Sequence, residues 1–252
     1  MKVCKFERMN NEDEVKQVIG CIQKEHPYVA VIPVLTQLQE WLQAISVSWF
    51  HEEDETSHTI VNAIEEYCRT LTDRLISDRK LNQDMKVQIE KCIEKIQVLV
   101  EDKADLLTDK IIKAEVYGLS NELFACCLRQ QGLRAQTLDT GKFMQINLER
   151  KPDIPYIKES VQQYISEKRD ADIFIAPLSL CKNVYGETDF MNEKRNDYYA
   201  TVLATAFGAD ELLLSTQINH IYANRNSRRE QHSLTYTAVS YTHLRAHETT
   251  LH

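Results

Sequence analysis

Two short apolar runs, Tyr28–Val34 (YVAVIPV) and Ala171–Ala176 (ADIFIA), constrain the fold more than any other feature of the chain. Both are β-rich and nearly continuous in apolar character, which predicts strands buried at the centre of a parallel sheet. Residues 2–6, Leu133–Leu138 and Glu211–Ser215 (ELLLS) are further strand candidates. Helical spacing lies between them. Asn11 through Ile22 places Val15, Val18 and Ile19 on one face, with Asn11 as a cap. Pro155–Glu167 and Asn196–Phe207 also read as helices, the second with Asn196 at its cap. Ile60, Ile64, Cys68, Leu71 and Leu75 recur at helical spacing, as do Ile89, Cys92, Ile93, Ile96 and Val100. These predict two long amphipathic helices packed on a neighbour. A third, Asn121–Gln131, carries Leu123, Phe124, Cys127 and Leu128. Strand–helix–strand repeats predict an α/β fold with a mostly parallel sheet. Ligands in such sheets sit outside the carboxyl ends of the strands, here Lys5-Phe6-Glu7, Leu178-Ser179 and Thr216-Gln217.

Glycine limits what those ends can hold. The chain has 6 glycines in 252 residues, where average usage gives roughly 18. None forms Gly-Gly, Gly-x-Gly or a Walker-type loop. A phosphate cradle brings backbone N–H groups close to the anion, often at positive φ, and glycine permits this. The sequence therefore lacks a standard phosphate-binding loop.

The remaining composition excludes other classes. A net charge of −8 disfavours a broad nucleic-acid surface. No run approaches 18 apolar residues, and the apolar start is too short for a secretory signal, so the expectation is a cytoplasmic protein with no membrane partner. Seven cysteines without Cys-x-x-Cys spacing argue against a disulfide framework or a zinc site. Cys126-Cys127 reads as packing. The acidic run His51–Glu55 with His58 reads as a polar turn before a helix, and no metal site is expected.

Three stretches fall into one register. Met1-Lys2-Val3-Cys4-Lys5-Phe6 resembles the aspartokinase opening, a strand ending Lys-Phe-Gly-Gly-Thr-Ser. The run from Asp153 to Phe190 is similar to the helix, strand and loop before that family's Gly-Arg-Gly-Gly-Ser-Asp-Tyr-Thr-Ala motif. That motif's place is held by Asn192-Glu193-Lys194-Arg195-Asn196-Asp197-Tyr198-Tyr199-Ala200. Ala209–Tyr222 resembles the family's strand ending Trp-Thr-Asp-Val-Asp-Gly-Ile-Tyr. The resemblance covers most of residues 1–238, closely over 153–224 and loosely over 36–110. It implies a three-layer amino-acid-kinase-like fold, helices on both faces of the sheet, incomplete at the C-terminus. It also implies ATP-dependent phosphorylation of the L-aspartate β-carboxylate, the first step of the aspartate-derived amino-acid pathway that leads to lysine. ATP with Mg is implied as cofactor by the resemblance alone, and a homo- or hetero-oligomer with an aspartokinase as a partner arrangement.

Residue by residue, the motif has eroded. Lys5 keeps the place of the family's phosphate-contacting lysine, but Glu7 and Arg8 replace its glycines and Met9 its threonine. Glu7 sets a carboxylate where phosphate oxygens belong, which is repulsive at close range. Val116-Tyr117 stands at the family's Gly-Glu pair, and Glu193 at its substrate-gripping arginine. Asp197 keeps the motif aspartate on the substrate side. In the nucleotide segment Thr216 and Tyr222 persist, while Gln217 and Asn219 replace aspartates and His220 the glycine. Plainer readings stand beside these. Lys5 reads equally as a solvated strand end, Asp197 as an acid favoured at a helix N-terminus, and Lys194-Arg195 as a solvated basic loop. The function is thus open between a weak aspartate kinase and a pseudokinase that binds a metabolite or pairs with an active aspartokinase.

Residues 239–249 (VSYTHLRAHET) match, in order, the translation of a sequencing-library adapter. The expected division is therefore a kinase-like domain over 1–238 and a non-native tail over 239–252. The tail offers only Val239, Tyr241, Leu244 and Leu251 as large apolar groups, too little burial to offset ordering at about 1–2 kcal/mol per residue. Deleting everything after Ala238 should leave the thermal midpoint unchanged. A drop of more than a few degrees, where 1 kcal/mol shifts it by roughly 2–4 °C, would show that the tail packs.

Overall fold

A computed structural model describes residues 1–215, apart from 8, 103, 167, 169 and 192–195. Thr216, Tyr222, Glu193, Lys194, Arg195 and the 239–252 tail lie outside the described residues. The main sheet has five strands: β1 (Lys2–Lys5), β2 (Val29–Ile32), β3 (Ala135–Thr137), β4 (Ile173–Pro177) and β7 (Glu211–Leu214). They lie in the order β3-β4-β2-β1-β7, and every pairing is parallel. Each predicted strand is present, trimmed by one or a few residues at its ends.

Side chains alternate across this sheet with period two. Cys4, Ala30, Ile32 and Ile175 join one core with α1 (Glu12–Glu25), α2 (Thr36–Phe50), α3 (Asp54–Leu75), α4 (Arg79–Glu101) and α5 (Leu106–Arg129). Val3, Val29, Val31, Phe174 and Ala176 join a second core with α6 (Ile154–Ser166) and α7 (Asn196–Phe207). With helices on both faces, β2 and β4 are buried throughout. That is why their sequences run apolar without alternation. The architecture is a three-layer α/β fold. None of the described helices is long and apolar enough to cross a membrane.

Local chemistry starts and stops the helices. Asn11 accepts from the Glu14 N–H at 3.0 Å and caps α1. Asp105 accepts from the Leu107 and Thr108 N–H groups, capping α5. Gly132 and Gly208, at φ +86° and +64°, follow α5 and α7, where the left-handed region favours glycine. Cys68 and Cys92 sit in the packed stripes of α3 and α4, and both thiols are pushed up to about 12 by burial. Cys126 and Cys127 are buried on α5, as packing requires. His51–Glu52 forms a turn directly before α3, the polar turn expected there.

Several elements depart from the sequence reading. α2 was not anticipated, although Leu38, Leu42, Ile45 and Trp49 bury at helical spacing. α5 begins fifteen residues before Asn121, at Leu106. Its second half is buried almost all round, so it shows no single apolar stripe. Residues 178–190 contain an antiparallel hairpin of β5 (Leu180–Lys182) and β6 (Thr188–Phe190). Asn196 is not a cap but the first residue of α7, and its Oδ1 accepts from the Ser179 hydroxyl at 3.0 Å.

The hairpin is pinned by one buried carboxylate. Asp189, 3% exposed, accepts both Arg150 guanidinium nitrogens at 3.1 Å and pairs with Lys110 at 3.1 Å. Burial opposes its charge, but the Arg150 guanidinium, the Phe190 N–H and Lys110 outweigh it and hold its carboxyl below the usual range. A lowered pKa in the folded state contributes stability above the unfolded value near about 3.9 and loses it as pH falls further. Asp189→Asn should therefore cost about 2 kcal/mol at pH 7. In urea titrations the gap to the parent should close below about pH 4, because there the parent loses the same charge. By contrast, Ser120→Ala should stabilise. The Ser120 hydroxyl is buried without a hydrogen-bond partner among the described residues, and removing such a group gains about 1 kcal/mol. Calorimetry should show a midpoint raised by roughly 2–4 °C.

Candidate active site

All five parallel strands point the same way, so their carboxyl ends share one edge of the sheet. β1 delivers Lys5 to that edge, paired with Val31 of β2 and Leu214 of β7. Flanked on both sides, Lys5 is only 4% exposed. It is not the solvated strand end that the sequence allowed. A buried ammonium must be paired or must lose its charge, and Lys5 is paired twice. Its Nζ donates to Glu7 Oε1 at 2.7 Å and pairs with Asp197 Oδ1 at 3.1 Å. Lys5 and Asp197, far apart in sequence, are thus brought together. Asp197 also lies in the first turn of α7, where a carboxylate is favoured by the helix dipole. Both readings of Asp197 hold at once.

One cation and two carboxylates leave this cluster with a formal charge of −1. A cavity of about 510 Å³ borders it, between α1 and the open edge of β7. Lys5 is its one lysine or arginine among the described residues, and Glu7, Glu14 and Glu25 line it as well. At Lys5 the described residues offer no unpaired cation to the phosphates of a nucleotide such as ATP. Among the described residues no three His, Cys, Asp or Glu side chains converge to hold a metal ion.

Tyr117, at the place of the family's carboxylate, packs edge-on against Phe190 with centroids 5.2 Å apart. Pro33, Val34, Gln39, Tyr117, Leu178, Ser179 and Asn196 enclose about 20 Å³. That is room for about one water, while a second cavity lined by Tyr117, together with Lys110, Arg150 and Asp189, measures about 250 Å³. Ser179 adopts a φ of +70°, and its hydroxyl reaches Asn196, so the turn after β4 is tied to the head of α7. The Asp189–Arg150–Lys110 cluster and the Ser179–Asn196 contact were not anticipated from the sequence. Only the presence of a buried-type acid in the stretch before residue 190 could have hinted at the first, since its partners come from two distant segments.

Comparison with known proteins agrees with the fold. The sequence model described as the amino acid kinase family matches residues 69–251, more than half of the chain. No curated protein sequence matches. Among solved structures, E. coli aspartokinase III in complex with aspartate and ADP superposes with a TM-score of 0.72 at 20% identity. The same enzyme with lysine and aspartate gives 0.74 at 21%. Each comparison covers 89% of this chain and 51% of the other. Clostridium acetobutylicum aspartate kinase gives 0.68 at 11%, covering 92% and 51%. The chain therefore spans about half the length of the aspartokinases whose fold it shares. On the family match, with the aspartokinase fold beside it, this chain belongs to the amino acid kinase family.

Proposed function

We propose that this chain is an aspartokinase-derived protein in which transfer from ATP to the aspartate β-carboxylate is weak or lost. The observation that carries the reading is the double neutralisation of Lys5 by Glu7 and Asp197. Phosphoryl transfer is mainly positioning and charge neutralisation. A lysine already paired with two carboxylates offers an incoming phosphate little, and Glu7 repels it. On the substrate side, Tyr117 in the place of the family's carboxylate supports the same reading. Losing one preorganised charge-stabilising contact costs about 10²–10³ in rate, and here several are altered together. A pseudokinase that binds a metabolite, or that pairs with an active aspartokinase, fits this site better than a working kinase. The ancestral substrates, aspartate and ATP with Mg, and a cytoplasmic place in lysine biosynthesis come from the resemblance. On the nucleotide side, Thr216 and Tyr222 are the residues that the resemblance assigns.

The test is ATP-dependent formation of aspartyl phosphate by the native full-length protein, trapped as the hydroxamate. Turnover well below about 1 s⁻¹, the low end of the usual kinase range, is expected. A rate at or above that would overturn the proposal. Glu7→Gly removes the repelling carboxylate while Asp197 still neutralises Lys5, so it should fold and should tighten ATP binding. If ATP binds equally to parent and variant, Glu7 is not the obstacle.

A further inference from the structure

A cavity larger than the one at Lys5 lies elsewhere on the described fold. It encloses about 870 Å³ between α4, α5, the carboxyl ends of β3 and β4, and the β5–β6 hairpin. That volume suits a metabolite-sized ligand, and the carboxyl edge of the sheet is where ligands of parallel folds sit. Three observations on its wall point to an occupant.

The first is Asn121. It is 2% exposed, lies on the cavity wall, and makes no side-chain hydrogen bond among the described residues. Its amide atoms are not among the described buried groups left without a partner, so they keep contact with solvent, and a polar ligand in the cavity they line would take up their hydrogen bonds. The second is Gly118, in the middle of the 24-residue helix α5. Glycine is a poor helix former, yet a Cβ added here meets nothing within 4 Å. Packing does not require glycine at this position. What its missing side chain leaves open is the cavity. The third is charge. The chain carries −8 overall, but the cavity gathers Lys91, Lys95, Lys142 and Lys182 against Glu115, Glu122 and Asp139. Glu122 is already committed to Arg129 and Lys95 to Glu115, Lys142 pairs loosely with Asp139 at 3.9 Å, Lys182 donates to the Tyr156 hydroxyl at 2.7 Å, and Lys91 has no ion-pair partner among the described residues. The thiols on the wall, Cys92 and Cys181, are kept neutral by burial and add no negative charge at neutral pH.

We infer that this cavity binds a small organic anion, carrying phosphate or carboxylate groups toward Lys91, Lys142 and Lys182 and a hydrogen-bonding group toward Asn121. The site is separate from the Lys5 cluster and does not depend on whether any kinase activity remains. Titration of the ¹⁵N-labelled 252-residue chain with sodium pyrophosphate, citrate and neutral glycerol, at constant ionic strength, tests it. At least one anion should bind saturably with a Kd of about 1 mM or tighter, moving the amides of Gly118, Asn121, Gly141 and Gly186. Pyrophosphate alone would assign a phosphate ligand, citrate alone a carboxylate. Glycerol should not bind. Gly118→Leu, whose Cβ meets nothing within 4 Å, places a side chain in the cavity and should weaken binding about tenfold or more, with the thermal midpoint held or raised. The double variant Lys91→Ala, Lys142→Ala should weaken it similarly while leaving the buried wall untouched. Absence of saturable binding by both anions, or binding that survives both variants, overturns the proposal.

Discussion

A primary ammonium withdrawn from water at the end of a central strand needs a negative partner, and the identity of that partner decides what this edge of the sheet can hold. Lys5 has no freedom to leave. Its backbone is fixed by parallel ladders to β2 on one side and β7 on the other. An ion entering from solvent would have to compete with Glu7, two residues along the same chain, and Asp197, anchored in the first turn of α7. Intramolecular partners are present at high effective concentration and need no association step, so they win unless an incoming anion brings further contacts. Here the other contacts are carboxylates. The pairing therefore both ties β1 to α7 and disfavours phosphate, one interaction serving stability and opposing nucleotide chemistry.

The glycine poverty of the sequence takes a structural form that agrees with this. Gly132, Gly186 and Gly208 occupy positive φ at two helix ends and a hairpin turn. These are positions where connections between regular elements need the left-handed region. Gly20 and Gly118 lie inside helices. The described glycines are thus used for connecting and spacing elements, and none wraps a backbone segment around an anion at the end of β1 or β4.

How much was legible follows from the range of the interactions involved. The apolar runs at 28–34 and 171–176 identified their strands because burial on both faces erases alternation locally. The stripes of α3 and α4 were readable because those helices bury one face each. α5 was readable only in part, since its second half buries Leu119 through Leu128 with hardly a gap, and periodicity carries no signal when every face is covered. α2 lies at the opposite fault, its stripe being present but set in a region taken as a whole. At the site, the sequence could name Lys5, Glu7 and Asp197, but not that the first would be buried between the other two. That depends on β7 and α7 converging on β1 from nearly two hundred residues away. Arg150, with its positive φ, and Asp189 illustrate the same limit, because the geometry that joins them is tertiary.

The two ends of this story meet in one short turn. After β4 the chain passes through Pro177, Leu178, Ser179 and Leu180. Pro177 and Leu180 line the large cavity, whereas Leu178 and Ser179 line the narrow cleft beside Tyr117. The same four residues are therefore a shared wall. On the cleft side, Ser179 is held at positive φ and bound to Asn196, the neighbour of the aspartate that neutralises Lys5. On the cavity side, the Leu180 carbonyl accepts from the hydroxyls of Thr140 and Tyr199, both fully buried. A close-packed wall of this kind cannot yield on one side alone. Widening the cleft enough for an amino acid would require Ser179 to move, and Ser179 cannot move without disturbing the buried hydrogen bonds of Leu180 or the head of α7. The narrow cleft beside Tyr117 and the larger cavity behind it are thus shaped by one piece of packing.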